Sequence, residues 1–106
     1  MDAAKNKGCD GIIPLNLTTY LVDSATSGFS LTEQHQLAYD NWLATEATAR
    51  DLTIGIINDP THSKELLSKF HFAMDEDCFI VGNSCYDSYV SFINANKPVF
   101  IVEYNL

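Results

Sequence analysis

The sequence predicts an α/β unit on a parallel sheet, in the order β-α-β-α-β-α-β. Three observations predict it. Short runs at 52–57 and 99–102 are apolar on both faces and need cover on two sides. Between such runs lie segments whose apolar residues recur at helical spacing. The 106 residues make roughly three and a half βα units of about 30 residues, where a closed barrel takes about 250. The chain is therefore a small open α/β sheet or part of a (β/α)8 barrel, and in the second case 1–106 is a single incomplete domain.

Residues 1–7 lack the apolar stretch of a secretory signal and lead through Gly8 into a first strand, Gly11-Ile12-Ile13, which Pro14 stops. Residues 18–30 read as loop from their Thr, Ser, Gly and Asp content. Thr32 then suits an N-cap and Glu33 the positive end of a helix, along which Tyr39, Trp42, Leu43 and Ala47 form one apolar stripe. Leu52-Thr53-Ile54-Gly55-Ile56-Ile57 is the second strand, ended by Asn58-Asp59-Pro60. Asp59 can cap, and Pro60 can occupy the first turn of, a second helix with the stripe Ser63, Leu66, Leu67 and Phe70. Phe72-Ala73-Met74 is a third strand that stops at the carboxylates Asp75-Glu76-Asp77. Tyr86, Tyr89, Val90 and Ile93 mark a third helix reaching Asn96, after which Lys97-Pro98 restarts the chain for the last strand. Trp42, Tyr86 and Tyr89 are expected to pack on the sheet.

Six Lys+Arg against 14 Asp+Glu give a formal charge of −8, with no basic cluster to meet phosphate. Nucleic acid and membrane surfaces are thereby excluded as partners, and a neutral or cationic ligand is favoured. No apolar run approaches the ~20 residues of a membrane span. His35, His62 and His71 lack the spacing of zinc ligands, so neither a metal nor a cofactor is expected.

In parallel α/β folds the chemistry sits at the carboxyl ends of the strands. Those ends carry Pro14-Leu15-Asn16, Asn58-Asp59, Asp75-Glu76-Asp77 and Glu103-Tyr104-Asn105. Amides, carboxylates and a phenol there suit a polyhydroxylated ligand, and Glu76 with Glu103 is a candidate carboxyl pair. At any one position a polar residue that merely ends a strand is the competing explanation. Tyr20 and Tyr104, at predicted strand ends, are the aromatic candidates for ligand contact. Asn16-Leu17-Thr18 is a glycosylation sequon, and a glycan on Asn16 would stand in the mouth of the cleft and count against catalysis. Cys78 and Cys85 are open to two readings, a bridge or two buried thiols.

Gly8-Cys9-Asp10-Gly11, Pro14-x-Asn16, Tyr20, Trp42-Leu43-Ala44, Gly55-Ile56-Ile57-Asn58, Glu76-Asp77-Cys78, Cys85 and Lys97-Pro98-Val99-Phe100 through Glu103-Tyr104 occur in register over nearly the whole chain. In this the sequence resembles the endo-α-1,4-polygalactosaminidase family, glycoside hydrolase family 114. The resemblance implies the second half of a (β/α)8 TIM barrel, a galactosamine-containing polysaccharide as partner and a secreted protein. It also implies a Cys78–Cys85 bridge pinning the loop that carries Glu76, with Cys9 left over, buried beside the first strand or parted from a partner in the missing half. Glu76 matches one of the family's two proposed catalytic carboxylates; Asn16, Tyr20, Asn58, Glu103 and Tyr104 are the candidate substrate-binding residues.

Two departures bear on activity. The family reads Pro-Asp-Asn-x-Asp where this chain has Leu15 and Thr18 at the Asp positions, and the first of those is the other proposed catalytic acid. It also has Lys where Ile57 precedes Asn58. Glycoside hydrolysis normally needs two carboxyl groups, and leucine fills neither role. The expectation is a truncated, catalytically impaired relative of enzymes acting on α-1,4-linked galactosamine polymer. The alternatives are a fragment of an active enzyme whose remaining site residues lie in the missing half, or a half-barrel that self-associates. In the last case Ile12, Ile54, Ile56, Phe100 and Val102 would supply the inner or edge surface.

Overall fold

The computed structural model describes residues 1–82 and 85–105, apart from the Tyr86 side chain. Four parallel strands form one sheet: β1 (Gly11–Ile12), β2 (Thr53–Ile57), β3 (Phe72–Glu76) and β4 (Val99–Val102), in the order β1-β2-β3-β4. Ile12 pairs with Ile54, Ile56 with Ala73, and Glu76 with Val102. Each strand joins beside its predecessor in the chain. A doubly wound sheet reverses direction around its first strand, whereas a barrel adds strands one way round, so this order is that of a barrel arc.

The helices are α1 (Asp2–Asn6), α2 (Ser24–Ser27), α3 (Glu33–Ala49), α4 (Ser63–Leu66), α5 (Cys85–Ser88) and α6 (Val90–Asn94), with 3-10 turns at Thr19–Leu21 and Pro60–His62. α3 begins as its sequence predicts. The Thr32 side chain accepts from the His35 backbone N–H at 3.2 Å, and His35 Nδ1 accepts from the Thr32 N–H in return.

Alternation along the strands sorts their side chains onto two faces. One face, with Ile54, Ile56 and Ala73, packs against Leu43, Ala44, Ala47, Leu66, Phe70, Tyr89 and Phe92 in the core. Each large apolar side chain fully buried there contributes about 1.5–3 kcal/mol. The opposite face carries Gly55, Phe72 and Phe100. The Phe72 ring lies over Gly55, where a Cβ would come within 2.3 Å of it. Phe72 also meets Phe100 edge-on, with centroids 6.1 Å apart.

Several expectations need correction. Ile54 and Ile56 are not on the inner surface; both are fully buried beneath the helices, while Phe100 stays half exposed on the open face. Trp42 does not pack on the sheet. The buried line of α3 runs through Gln36, Asp40, Leu43, Ala44 and Ala47, which turns Tyr39 and Trp42 outward, stacked on each other. Tyr89 is fully buried, but it breaks the expected third helix into α5 and α6, since its backbone leaves the helical region (φ −130, ψ 29). The Tyr86 side chain, expected on the sheet, lies outside the described residues. β3 does not stop at Met74 but runs on to Glu76, paired with β4 to its last residue. The single free cysteine among the described residues, Cys9, is exposed rather than buried.

Candidate functional site

Three strand ends converge on Glu76. β3 delivers it as its last residue; β2 delivers Asn58 immediately after Ile57; β4 delivers Tyr104 two residues past its end. Asn58 binds Glu76 twice. Its Nδ2 donates to Glu76 Oε2 at 2.9 Å, and its Oδ1 accepts from the Glu76 backbone N–H at 2.9 Å. The Tyr104 hydroxyl donates to the other carboxylate oxygen at 2.5 Å. Both oxygens are thus held by a neutral donor, a short pair of bonds that favours the ionised carboxylate. The Tyr104 bond first, then the Asn58 bond, holds Glu76 below the usual carboxylate range, and the same Tyr104–Glu76 bond, followed by the Glu76 charge, pushes the Tyr104 phenol up.

Asn58 takes φ 54 and Asp77 φ 54, and Asn16 after β1 takes φ 63. Left-handed Asn and Asp turn the chain sharply at three strand ends, which brings these loops to one mouth. Asn16, Asn58 and Glu76 share a cleft of about 220 Å³ with Leu15, Leu17, Thr18 and Ile57. Leu15 is 68% exposed there, an apolar side chain facing water beside a carboxylate.

The remaining candidates lie elsewhere. Tyr20 is not at a strand end: it sits on the 3-10 turn Thr19–Leu21 with its ring 5.6 Å from that of His62. Glu103 does not line the cleft. Its Oε1 accepts from the Phe79 N–H at 2.9 Å, and its Oε2 is buried with no hydrogen-bond partner among the described residues. Glu103 therefore steadies the loop after β3. Cys78 and Cys85 close that loop as a disulfide with Cα atoms 5.6 Å apart.

A second polar cluster lies beneath the mouth and was not read from the sequence. His62 Nδ1 is 2.8 Å from Asp59 Oδ2, and its Nε2 is 2.7 Å from Glu33 Oε1. The Asp59 N–H donates to the Tyr89 hydroxyl at 2.9 Å. Gln36 Nε2 donates to Asp40 Oδ1 at 2.8 Å, while Asp40 Oδ2 is buried without a partner among the described residues. Burial pushes Asp40 up to about 6, against the Gln36 bond. Burial also opposes charge on His62, but the bonds to Asp59 and Glu33 and the charges of those carboxylates outweigh it, so its pKa is raised. The legible signal was the spacing Asp59-x-x-His62 behind a strand end, with Gln36 and Asp40 one helical turn apart.

Comparison with known proteins places this geometry. The profile of glycoside-hydrolase family GH114 matches residues 1–106. Among solved structures, a crystal structure of Aspergillus fumigatus Ega3 in complex with galactosamine is similar at 33% identity and a TM-score of 0.85, over 97% of this chain. The match covers 39% of the Ega3 chain, so this sequence spans well under half of that relative. No curated protein matches. The fold is accordingly a partial (β/α)8 barrel, and the chain belongs to glycoside-hydrolase family GH114.

Proposed function

We propose that this chain is a catalytically impaired member of the family that keeps a carboxylate subsite for α-1,4-linked galactosamine polymer. The observation that carries the reading is Glu76, held ionised by Asn58 and Tyr104, with Leu15 on the same cleft in place of the second acid. Glycoside hydrolysis needs a proton for the leaving oxygen, and a general acid needs a pKa near the working pH. Glu76 is shifted the other way, and Leu15 carries no proton to give. An ionised carboxylate in a chain of charge −8 does suit an ammonium group. Free galactosamine residues are cationic near neutral pH, and the chain's field would draw them in. Asn16, Asn58 and Tyr104 supply hydrogen-bonding groups around it; Tyr20 and Glu103 are engaged elsewhere and take no part.

Residues 1–106 then correspond to the C-terminal part of a barrel domain. An extracellular location is supported by the Cys78–Cys85 bridge, since such bonds persist in oxidising compartments. Calorimetric titration with a deacetylated galactosamine oligomer tests the reading. Binding lost in Glu76→Gln, and weakened when the oligomer is N-acetylated, is expected; equal binding by wild type and Glu76→Gln would sink it.

One observation favours a second reading, in which the half-barrel pairs with another copy. β1 and β4 are each paired on one side among the described residues, and Phe100 lies half exposed on the open face. Unpaired edges and apolar inner side chains drive association. A micromolar sample sedimenting as a dimer supports this, and a compact monomer removes it.

A further inference from the structure

We propose that Tyr89, Asp59 and His62 are positioning residues for the cleft: together they lock the turn after β2 that presents Asn58 to Glu76. The proposal takes from the preceding reading that Glu76 is the group the ligand meets. It adds what holds that group in place.

Asn58 sits at φ 54, a left-handed turn that Asn adopts readily, so what fixes its position is the packing around the turn. The residue that follows supplies the constraint. Asp59 is 1% exposed and tied at both ends, its N–H to the Tyr89 hydroxyl and its carboxylate to His62 Nδ1. His62 is in turn fixed by Glu33, from the first turn of α3. Tyr89 comes from the break between α5 and α6, so two side chains hold one residue of the turn, with Glu33 of α3 behind His62. On the preceding peptide, the Asn58 N–H donates to the Met74 carbonyl at 3.1 Å, and the Asn58 side chain grips Glu76 through both amide atoms. The path is thus continuous: Glu33 to His62 to Asp59, across one peptide bond to Asn58, and on to Glu76.

The groups facing His62 are Asp59 from its own turn, Glu33 and Asp40 from α3, and the Tyr20 ring from the 3-10 turn; Glu65 of α4 acts on Asp59. The helix break at Tyr89 also gains a purpose. A regular helix through 86–96 has no need to leave the helical region at Tyr89, whereas the break accompanies a phenol delivered to the Asp59 N–H.

The test follows the Glu76 side-chain carboxyl by 13C NMR titration in Tyr89→Phe, His62→Gln and Asp40→Asn. Tyr89→Phe keeps the ring and the core and removes only the hydroxyl. Loosening Asn58 is expected to raise the Glu76 midpoint by about half a pH unit in Tyr89→Phe and in His62→Gln. Asp40→Asn, in the same cluster but with no bond to Asp59, is expected to leave it unmoved. Should His62→Gln fail to fold, Tyr89→Phe decides alone. A Glu76 midpoint that stays put in folded Tyr89→Phe, or that moves equally in all three, overturns the proposal. Titration with deacetylated galactosamine oligomer separates the two claims: shifted midpoints in a chain that never binds the oligomer would leave the positioning role standing and remove the proposed ligand.

Discussion

Glu76 and Asp40 are both carboxylates in an acidic chain, and their surroundings push them in opposite directions. Glu76 sits half-buried at the mouth with a donor on each oxygen, and is held below the usual range. Asp40 lies fully buried on α3 with one oxygen bonded to Gln36 and the other unpaired, and is pushed up to about 6. Hydrogen bonds to the charged form decide the first; loss of water decides the second. The mouth therefore favours a charged carboxylate, and burial on α3 favours a neutral one. That division is what the proposed ligand site at Glu76 and the proposed positioning role of His62 rest on.

The largest expected effect breaks the lower cluster. Asp59→Ala leaves His62 buried with one carboxylate fewer and deprives the turn of its anchor, and should cost about 3 kcal/mol in urea unfolding at pH 6. Next comes Asp40→Asn. A native pKa of about 6 against 3.8 unfolded means the native state holds the proton over that interval, so wild-type stability falls as pH rises from about 4 to 6. The variant lacks that fall and should be about 1–2 kcal/mol more stable at pH 7.5, with no difference at pH 4. His62 acts higher on the scale. Its raised pKa gives stability that is complete below about pH 6.5 and lost as pH climbs through the native value above it, so His62→Gln should flatten the fall of thermal stability on the alkaline side of pH 6.5. The smallest stability effect belongs to the mouth: Glu76→Gln should leave the urea unfolding midpoint almost unchanged, because the bonds it makes are open to solvent.

Much of the frame could be read from residues. Thr32 and Glu33 mark the start of α3, the run 52–57 gives β2, and the alternation of strands with helices gives a parallel sheet. What escaped reading has a common cause. Gln36 and Asp40 look like a solvated helix face, so Tyr39 and Trp42 read as its apolar stripe in their place; the polar pair is buried bonded to each other, and only the charges of Asp59 and His62 reach Asp40 from elsewhere in the sequence. Tyr89 reads as part of a continuous helical stripe because its hydroxyl's partner, the Asp59 N–H, is 30 residues distant. Asp75 and Glu76 look like a strand stop, yet pairing with Ile101 and Val102 carries β3 through them and sets Glu76 at the mouth. Local pattern gives elements, and long-range hydrogen bonds move their ends. Glu103 shows the same limit: its place after β4 suggested a cleft carboxylate, whereas the Phe79 N–H draws it to the bridged loop.

An ionised Glu76 with Leu15 at the second acid's position is expected not to cut sugar. The direct measurement is a reducing-end assay of the purified chain on deacetylated galactosaminogalactan, beside Glu76→Gln, from pH 4 to 8. The result expected is no release above buffer for either protein at any pH. Release by the wild type that disappears in Glu76→Gln would contradict the account, and would mean that another group on the cleft supplies the proton that Leu15 cannot.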